Sequence, residues 1–120
     1  MSDEGFRISW AGHDDPAAFA NIIQLTETVC TPFAIRQFHL LGLLPPTDTH
    51  PRILDNACGS GRQAEVLREA YADGGKKIDI TCCDLSPEMI SVVKQRIEKG
   101  NWDNVKAQVV DAQVALLQEV

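Results

Sequence analysis

The sequence predicts an α/β fold, a doubly wound, Rossmann-like parallel sheet that is preceded by helices. Beyond residue 51, three short apolar segments alternate with two amphipathic segments, and the links between them are short. This alternation is typical of right-handed βαβ units, which build parallel sheets. The two glycines of "CGSG", Gly59 and Gly61, stand between the first apolar segment and the first amphipathic one. We expect the three strands in the spatial order 3-2-1.

The composition limits both the size of the protein and its partners. The chain has 120 residues, of which 44% are hydrophobic, and its formal net charge is −6. An acidic chain with scattered basic residues does not favour a nucleic-acid-binding surface. No apolar run approaches the roughly 18 residues that a membrane span needs, and the polar N-terminus has no signal-peptide pattern. We therefore expect one cytoplasmic domain that binds neither nucleic acid nor membranes.

Two start signals predict helices in the first fifty residues. Asp15-Pro16 and Thr31-Pro32 each combine a helix-capping residue with a proline at the first helical position. The stretch "PPTDTHP" then contains three prolines in seven residues and indicates a linker. The expected division of the chain is a flexible arm over residues 1–14, a helical cap and linker over 15–50, and a Rossmann-like half-domain over 51–120.

The remaining elements are predicted from periodicity and capping signals. Ser60 and Gln63 have the spacing of a capping box, so a helix is expected over residues 60–73. Ser86 followed by proline opens a second helix, which Gly100 can end. The strands are expected in three segments, residues 52–57, 77–84 and 104–111.

Carboxylates come at the ends of the predicted strands. Asp55, Asp84 and Asp111 end the first, second and third strand, and parallel sheets bind ligands at this edge. The glycines after Asp55 allow a backbone to come close to a ligand. Asp84 has the place of an acid that accepts hydrogen bonds from ribose hydroxyls. A carboxylate at position 55 would repel a pyrophosphate and would favour an ammonium or sulfonium group.

Other interpretations of these residues remain open from the residues alone. A glycine pair can be an ordinary tight turn, Asp55 can cap that turn, and Asp111 can be a solvated strand end. Ser86 already occupies the cap position before the second helix, which leaves Asp84 for a ligand. Cys58 has no histidine near it in sequence and is interpreted as structural. The four cysteines and three histidines lack the spacing of a metal site, so no metal is expected.

Three motifs in order resemble a known family. "ILDNACGSG", "TCCDLSPEMI" and "VKAQVVDA" are similar to the first three motifs of class I S-adenosylmethionine-dependent methyltransferases. The first two are especially similar to small-molecule methyltransferases of fungal secondary metabolism. The resemblance implies S-adenosyl-L-methionine as cofactor and a small molecule as methyl acceptor.

The resemblance also implies a role for each matching residue. Asp55 would orient the amino group of the methionine part, and Asp84 would hold the ribose hydroxyls. Leu85 would pack on adenine, and Asp111 with Ala112 would read the edge of the base. The backbone of the first turn would pass close to the methionine part, although many members have glycine where this chain has alanine. The implied cofactor-binding residues are Asp55, Ala57, Cys58, Gly59, Gly61, Asp84, Leu85, Asp111 and Ala112.

The resemblance covers the beginning of the family's fold. Members have a seven-stranded sheet in which the fourth strand lies beside the first, whereas this sequence stops at Val120. The first strand would then be a free edge, so we expect the isolated chain to dimerise through it, to aggregate, or to be a fragment of a longer protein. Any general base is expected to lie outside these residues, and the sequence does not identify the catalytic residues.

Two alternative functions belong to other classes. One is a non-catalytic module that binds a nucleoside or a partner chain. The other is an NAD-binding Rossmann unit, because Gly59, Gly61 and Ala64 nominally satisfy the dinucleotide fingerprint. Asp55 and the pair of Asp111 and Ala112 argue against the second alternative.

Overall fold

The structure, a computed structural model, describes residues 15–111. The predicted arm over residues 1–14 and Ala112 therefore lie outside the described residues. None of the helices within residues 15–111 has the combination of length and apolar character that crossing a membrane requires. The elements are α1 (Pro16–Leu40), β1 (Arg52–Asn56), α2 (Arg62–Asp73), β2 (Asp79–Asp84), α3 (Pro87–Gly100) and β3 (Val105–Val109).

The three strands form one open parallel sheet in the order β1-β2-β3. This is the predicted order 3-2-1 counted from the other edge, and the α/β prediction is confirmed. Ile53, Ile80 and Val105 lie side by side in one row across the sheet. Asp55 is two residues beyond Ile53 and points to the same face, because side chains alternate along a strand. A carboxylate therefore follows an apolar side chain on the face that carries the core.

The core lies between this face of the sheet and the helices. The apolar faces predicted for α2 and α3 are confirmed, and Tyr71 of α2 and Val93 of α3 are 0% exposed. The Tyr71 hydroxyl donates to the Leu43 carbonyl oxygen over 2.7 Å, so its polar end is satisfied. α3 packs on β2 and β3, and α1 packs on α2. The main core residues are Ala34, Phe38, Cys58, Ala64, Leu67, Tyr71, Ile78, Ile80, Cys82, Ile90, Val93, Trp102 and Val105.

The prediction of two N-terminal helices is wrong, because α1 runs without a break from Pro16 to Leu40 and contains Pro32. A proline inside a helix costs roughly 3 kcal/mol. Continuing the helix keeps Ala34 and Phe38 buried at 4% and 5% exposure. Burying one phenylalanine stabilises a fold by roughly 1.5–3 kcal/mol, which is comparable with the cost of the proline. Tertiary packing therefore offsets much of the cost of keeping Pro32 inside the helix.

The predicted capping box at Ser60 is also wrong. α2 begins at Arg62, and its N-cap is Gly61, which has φ 83° and makes no side-chain capping bond. The Ser60 hydroxyl donates instead to Glu27 of α1, over 2.7 Å. The left-handed conformation of Gly61 changes the chain direction before the helix, which leaves Ser60 facing α1. The cap predicted for α3 is confirmed, because the Ser86 hydroxyl accepts from the Met89 N–H.

Trp102 closes the end of α3. Its ring is 7% exposed, and the Arg68 guanidinium lies 5.5 Å from the ring centroid. A Cβ atom at Gly100 would overlap the indole nitrogen of Trp102. Glycine is therefore required there for space, and not for an unusual backbone conformation.

We predict that Gly100→Ala destabilises the chain by about 2 kcal/mol, because the added methyl group forces the Trp102 ring out of place. Gly74→Ala is the matched control, since Gly74 also follows helical residues and its added Cβ would meet ordinary contacts at 3.5 Å. The control should change the free energy of unfolding by less than about 1 kcal/mol. Urea unfolding followed by tryptophan fluorescence measures both, and equal losses would contradict the packing argument.

Candidate functional site

The turn between β1 and α2 has an unusual backbone. Ala57, Gly59 and Gly61 all have positive φ, at 58°, 57° and 83°. The alanine is the exceptional one, because a left-handed conformation costs a residue with a side chain roughly 1–2 kcal/mol. The Cys58 N–H donates to the Cys83 carbonyl oxygen over 2.9 Å, so the turn is fixed to the end of β2. This turn, residues 57–61, is called the glycine turn below.

Asp84 connects the glycine turn with the turn that follows β2. Its Oδ2 accepts from the Gly59 N–H and its Oδ1 accepts from the Ser86 N–H, each over 2.9 Å. A carboxylate has about four lone-pair sites, so each oxygen can accept a further hydrogen bond. Asp84 is therefore both a structural connection and an acceptor with remaining capacity.

Asp55 lies beside this connection with one oxygen unpaired. Its Oδ2 is buried and has no hydrogen-bond partner among the described residues. The pKa of Asp55 is raised from the usual 3.8 to about 6, mainly because burial disfavours the charged form and also because the negative charge of Asp84 is near. A buried polar atom without a partner costs stability. A cation or a hydrogen-bond donor at this place would remove that cost.

The other predicted contacts lie at the same edge but outside this cluster. Leu85 directly follows Asp84 and is 46% exposed. The Val110 N–H donates to the Asp84 carbonyl oxygen over 3.0 Å, which brings the end of β3 beside the end of β2. Asp111 follows and is exposed. The structure thus brings Asp55, Asp84 and the glycine turn together, with Leu85 and Asp111 along the same edge.

Cys58, within the glycine turn, is held as a thiol. A hydrogen bond with the Cys82 thiol raises the pKa of Cys58, and burial raises it further. The Cys58 thiol also donates to the Gly59 carbonyl oxygen over 3.4 Å. A protonated, buried thiol is a poor nucleophile. No group of histidine, cysteine and acidic side chains within the described part of the chain has the arrangement of a metal site.

Three residues that the sequence did not predict as a unit meet on the α1 side of the glycine turn. Glu27 Oε1 accepts from the Ser60 hydroxyl over 2.7 Å and from Arg96 Nη1 over 2.6 Å. The same Arg96 nitrogen donates to the Ser60 carbonyl oxygen over 3.1 Å. These residues come from α1, the glycine turn and α3, so no local pattern could have indicated the contact. We call them the Glu27 cluster.

A groove of about 340 Å³ follows β1 between the sheet and the ends of α1 and α2, and Ile80 of β2 also lines it. Phe38 and Leu41, from the end of α1, line its apolar part. Asp55 and Gln63 line it near the glycine turn. The groove therefore leads along the free edge of β1 to the unpaired carboxylate.

The family follows from comparison with known proteins. Residues 53–119 match the family defined as the methyltransferase domain. Because this match covers more than half of the chain, the chain belongs to the methyltransferase domain family. The resemblance to class I S-adenosylmethionine-dependent methyltransferases and to their fungal members is confirmed.

Curated relatives come from Aspergillus species. The acetylaranotin bis-thiomethyltransferase of Aspergillus terreus is 38% identical over 96 residues, which are 79% of this chain and 35% of that protein. The methyltransferase tpcH of Aspergillus fumigatus is 35% identical over 88 residues, which are 72% of this chain and 28% of that protein. The chain thus spans about a third of the length of these relatives.

Solved structures show the same fold. A candidate S-adenosyl-L-methionine-dependent methyltransferase from Methanococcus maripaludis superposes with a TM-score of 0.56 at 17% identity, over 77% of this chain and 40% of that chain. A candidate sarcosine dimethylglycine methyltransferase from Galdieria sulphuraria gives a TM-score of 0.52 at 16% identity, over 67% of this chain and 28% of that chain. At these identities the likeness establishes the fold alone.

We predict that Asp55→Asn changes how stability depends on pH. Folded Asp55 binds its proton more tightly than unfolded Asp55, so this residue's contribution to stability is present below pH 3.8 and is lost as the pH rises through about 6. The asparagine variant has no carboxyl group at position 55 and therefore does not lose this stability as the pH rises. Its stability relative to the wild type should therefore increase by about 2 kcal/mol between pH 4 and pH 7.5, after allowance for partial solvent screening.

Chemical denaturation across that pH range measures the difference. Asp73→Asn, at the exposed end of α2, controls for the loss of one negative charge. Parallel stability curves for the wild type and Asp55→Asn would contradict the burial argument.

Proposed function

We propose that this chain is the cofactor-binding portion of an S-adenosylmethionine-dependent methyltransferase that acts on a small molecule. The observation that carries the proposal is the pair of carboxylates, Asp55 and Asp84, beside the glycine turn. They are close enough for the charge of Asp84 to raise the pKa of Asp55. A ligand that brings positive charge and hydroxyl donors relieves this repulsion, whereas a pyrophosphate increases it.

The residues present fit S-adenosylmethionine. Its ammonium and sulfonium groups are cations, and the Oδ2 of Asp55 is an acceptor that has no donor among residues 15–111. Its ribose presents two hydroxyl donors, and Asp84 has acceptor capacity left after its two backbone bonds. A Cβ atom added at Gly59 would meet nothing within 4 Å, so open space borders the turn there. These features favour a sulfonium nucleoside over a dinucleotide.

The proposed roles are those that the resemblance to class I methyltransferases implies for the matching residues. Asp55 holds the amino group of the methionine part, and Asp84 holds the ribose hydroxyls. Leu85 covers one face of adenine, and Asp111 with Ala112 contacts the edge of the base. The backbone of the glycine turn, at Ala57, Cys58, Gly59 and Gly61, lies along the methionine part. When bound, the cofactor would supply an activated methyl group, and this chain would contribute binding and orientation.

The small-molecule acceptor is supported by a relative. The name of the acetylaranotin bis-thiomethyltransferase describes methyl transfer to thiol groups of one small molecule. The chain spans 35% of that protein, so the proposal for these residues is limited to cofactor binding. Acceptor binding and turnover are proposed for the protein of which such a portion forms a part.

We predict that the chain binds S-adenosylhomocysteine saturably in calorimetric titration and does not bind NAD. Asp84→Asn should weaken the binding of S-adenosylhomocysteine by roughly tenfold or more, because the ribose hydroxyls lose a charged acceptor. Asp79→Asn is the matched control, since Asp79 begins the strand that Asp84 ends and its side chain is 56% exposed. The control should leave the affinity unchanged.

Different results of this titration point to different conclusions. NAD binding in place of S-adenosylhomocysteine would favour the dinucleotide interpretation. Binding of S-adenosylhomocysteine that Asp84→Asn leaves intact would overturn the role of Asp84. A folded chain that binds neither compound would contradict the proposed cofactor site.

We also propose that the isolated chain self-associates through the free edge of β1. Within residues 15–111, β1 pairs with β2 and with no other strand. Its backbone groups on the other side border the groove beside α1, and its Leu54 is 55% exposed. A strand edge with unpaired backbone groups is a template for pairing with a second strand.

Sedimentation velocity over a range of concentrations tests this proposal. We predict concentration-dependent association that Leu54→Lys reduces, because a charge beside the edge opposes strand pairing. Leu25→Lys on α1 is the control, since Leu25 is 66% exposed and distant from the strand in sequence. A monodisperse monomer that unfolds cooperatively would contradict the proposal.

A further inference from the structure

The Glu27 cluster joins three elements through one carboxylate oxygen. Ser60 of the glycine turn and Arg96 of α3 both donate to Glu27 Oε1 of α1. Because Arg96 also donates to the Ser60 carbonyl oxygen, the three residues contact one another in a closed triangle. Any movement of Ser60 therefore disturbs two contacts at once.

The cluster is shielded enough to be strong. The side chain of Glu27 is 19% exposed and that of Arg96 is 26% exposed. Hydrogen bonds between charged groups are roughly twice as strong as neutral ones, and partial burial lowers the screening that makes exposed ion pairs weak. The Glu27–Arg96 pair is therefore stronger than an exposed ion pair on the surface.

The cluster also anchors the part of α1 that lacks fully buried side chains. The two buried residues of α1, Ala34 and Phe38, lie in its C-terminal half. Earlier in the helix, Leu25 and Val29 are 66% and 55% exposed. Glu27 lies between them and contacts the turn. Polar contacts, that of Glu27 with Ser60 and that of Thr31 with Arg62, thus hold this part of α1 beside the glycine turn.

The glycine turn needs such an anchor because its own residues are permissive. Ser60 stands between two glycines, which rotate more freely than any other residue. On the sheet side, two hydrogen bonds fix the turn. The Cys58 N–H donates to the Cys83 carbonyl oxygen, and the Gly59 N–H donates to the Asp84 carboxylate. On the opposite side, Ser60 fixes it to Glu27. The contacts on the two sides hold the turn beside Asp84, the carboxylate that we propose accepts hydrogen bonds from the ribose hydroxyls.

We propose that Glu27 is a positioning residue for the cofactor: acting through Ser60, it fixes the glycine turn and thereby sets cofactor affinity without contacting the cofactor. This inference rests on the proposed function of the turn. It assigns to α1 a part in cofactor binding that extends beyond covering the core.

The test compares Glu27→Ala with two matched variants by titration with S-adenosylhomocysteine. Glu27→Ala should weaken binding about tenfold, as expected when a charged hydrogen bond that orders the site is lost. Glu27→Gln keeps an oxygen that Ser60 can contact and should recover most of the affinity. Glu65→Ala removes another partly shielded ion pair, in which the side chains of Arg62 and Glu65 are 36% and 22% exposed. This control should stay within about twofold of the wild type.

Amide hydrogen exchange without ligand provides the second readout. Exchange at residues 59–61 should be faster in Glu27→Ala than in Glu65→Ala, at a temperature where both variants are folded. If the wild type does not bind S-adenosylhomocysteine, the proposed function fails, and the exchange rates alone decide whether Glu27 orders the turn. Equal affinity and equal exchange in the Glu27 and Glu65 variants would overturn the inference.

Discussion

The carboxylate of Asp84 is the contact on which the carboxyl edge of the sheet depends. It accepts one backbone N–H from the glycine turn and another from the turn after β2. The first contact fixes the approach to α2, where Gly61 packs so closely on Val93 of α3 that a Cβ atom would lie 3.0 Å from a methyl carbon. The Asp84 side chain thus connects the ends of β1 and β2 with the packing between α2 and α3.

Burial, and after it the charge of Asp84, disfavours the ionised form of the neighbouring Asp55. Asp55 points to the core face of the sheet and is half-buried, its buried Oδ2 has no hydrogen-bond partner among the described residues, and its pKa is raised. An apolar residue at that position would fit the fold better, so the arrangement lowers stability in the free chain. Perturbed carboxyl groups of this kind are concentrated at functional sites. A cationic ligand group would stabilise both carboxylates. The placement of Asp55, which lowers the stability of the free chain, would therefore favour binding of the proposed cofactor.

The sequence predicts those features of the structure that a local pattern of residues determines. Alternating apolar periodicity predicts the strands and helices, and topology brings Asp55 and Asp84 to one edge of a parallel sheet. Prediction from a local pattern is wrong where contacts with residues distant in the sequence determine the conformation. Pro32 lies inside a helix, and the burial of Phe38 further along that helix offsets much of the cost of the proline. Ser60 leaves its predicted capping role because Glu27, which is 33 residues earlier in the chain, accepts its hydrogen bond. The contact with Arg96 has no sequence signature for the same reason.

The central claim is that a cationic cofactor completes the pair of Asp55 and Asp84. The most direct measurement is an NMR titration of the Asp55 side-chain carboxyl carbon, with and without saturating S-adenosylmethionine. The account predicts a pKa near 6 in the free chain and a clear fall when the ligand's ammonium group is near, because a positive charge favours the ionised form. An ordinary pKa in the free chain, or a raised pKa that the bound ligand leaves unchanged, would contradict it.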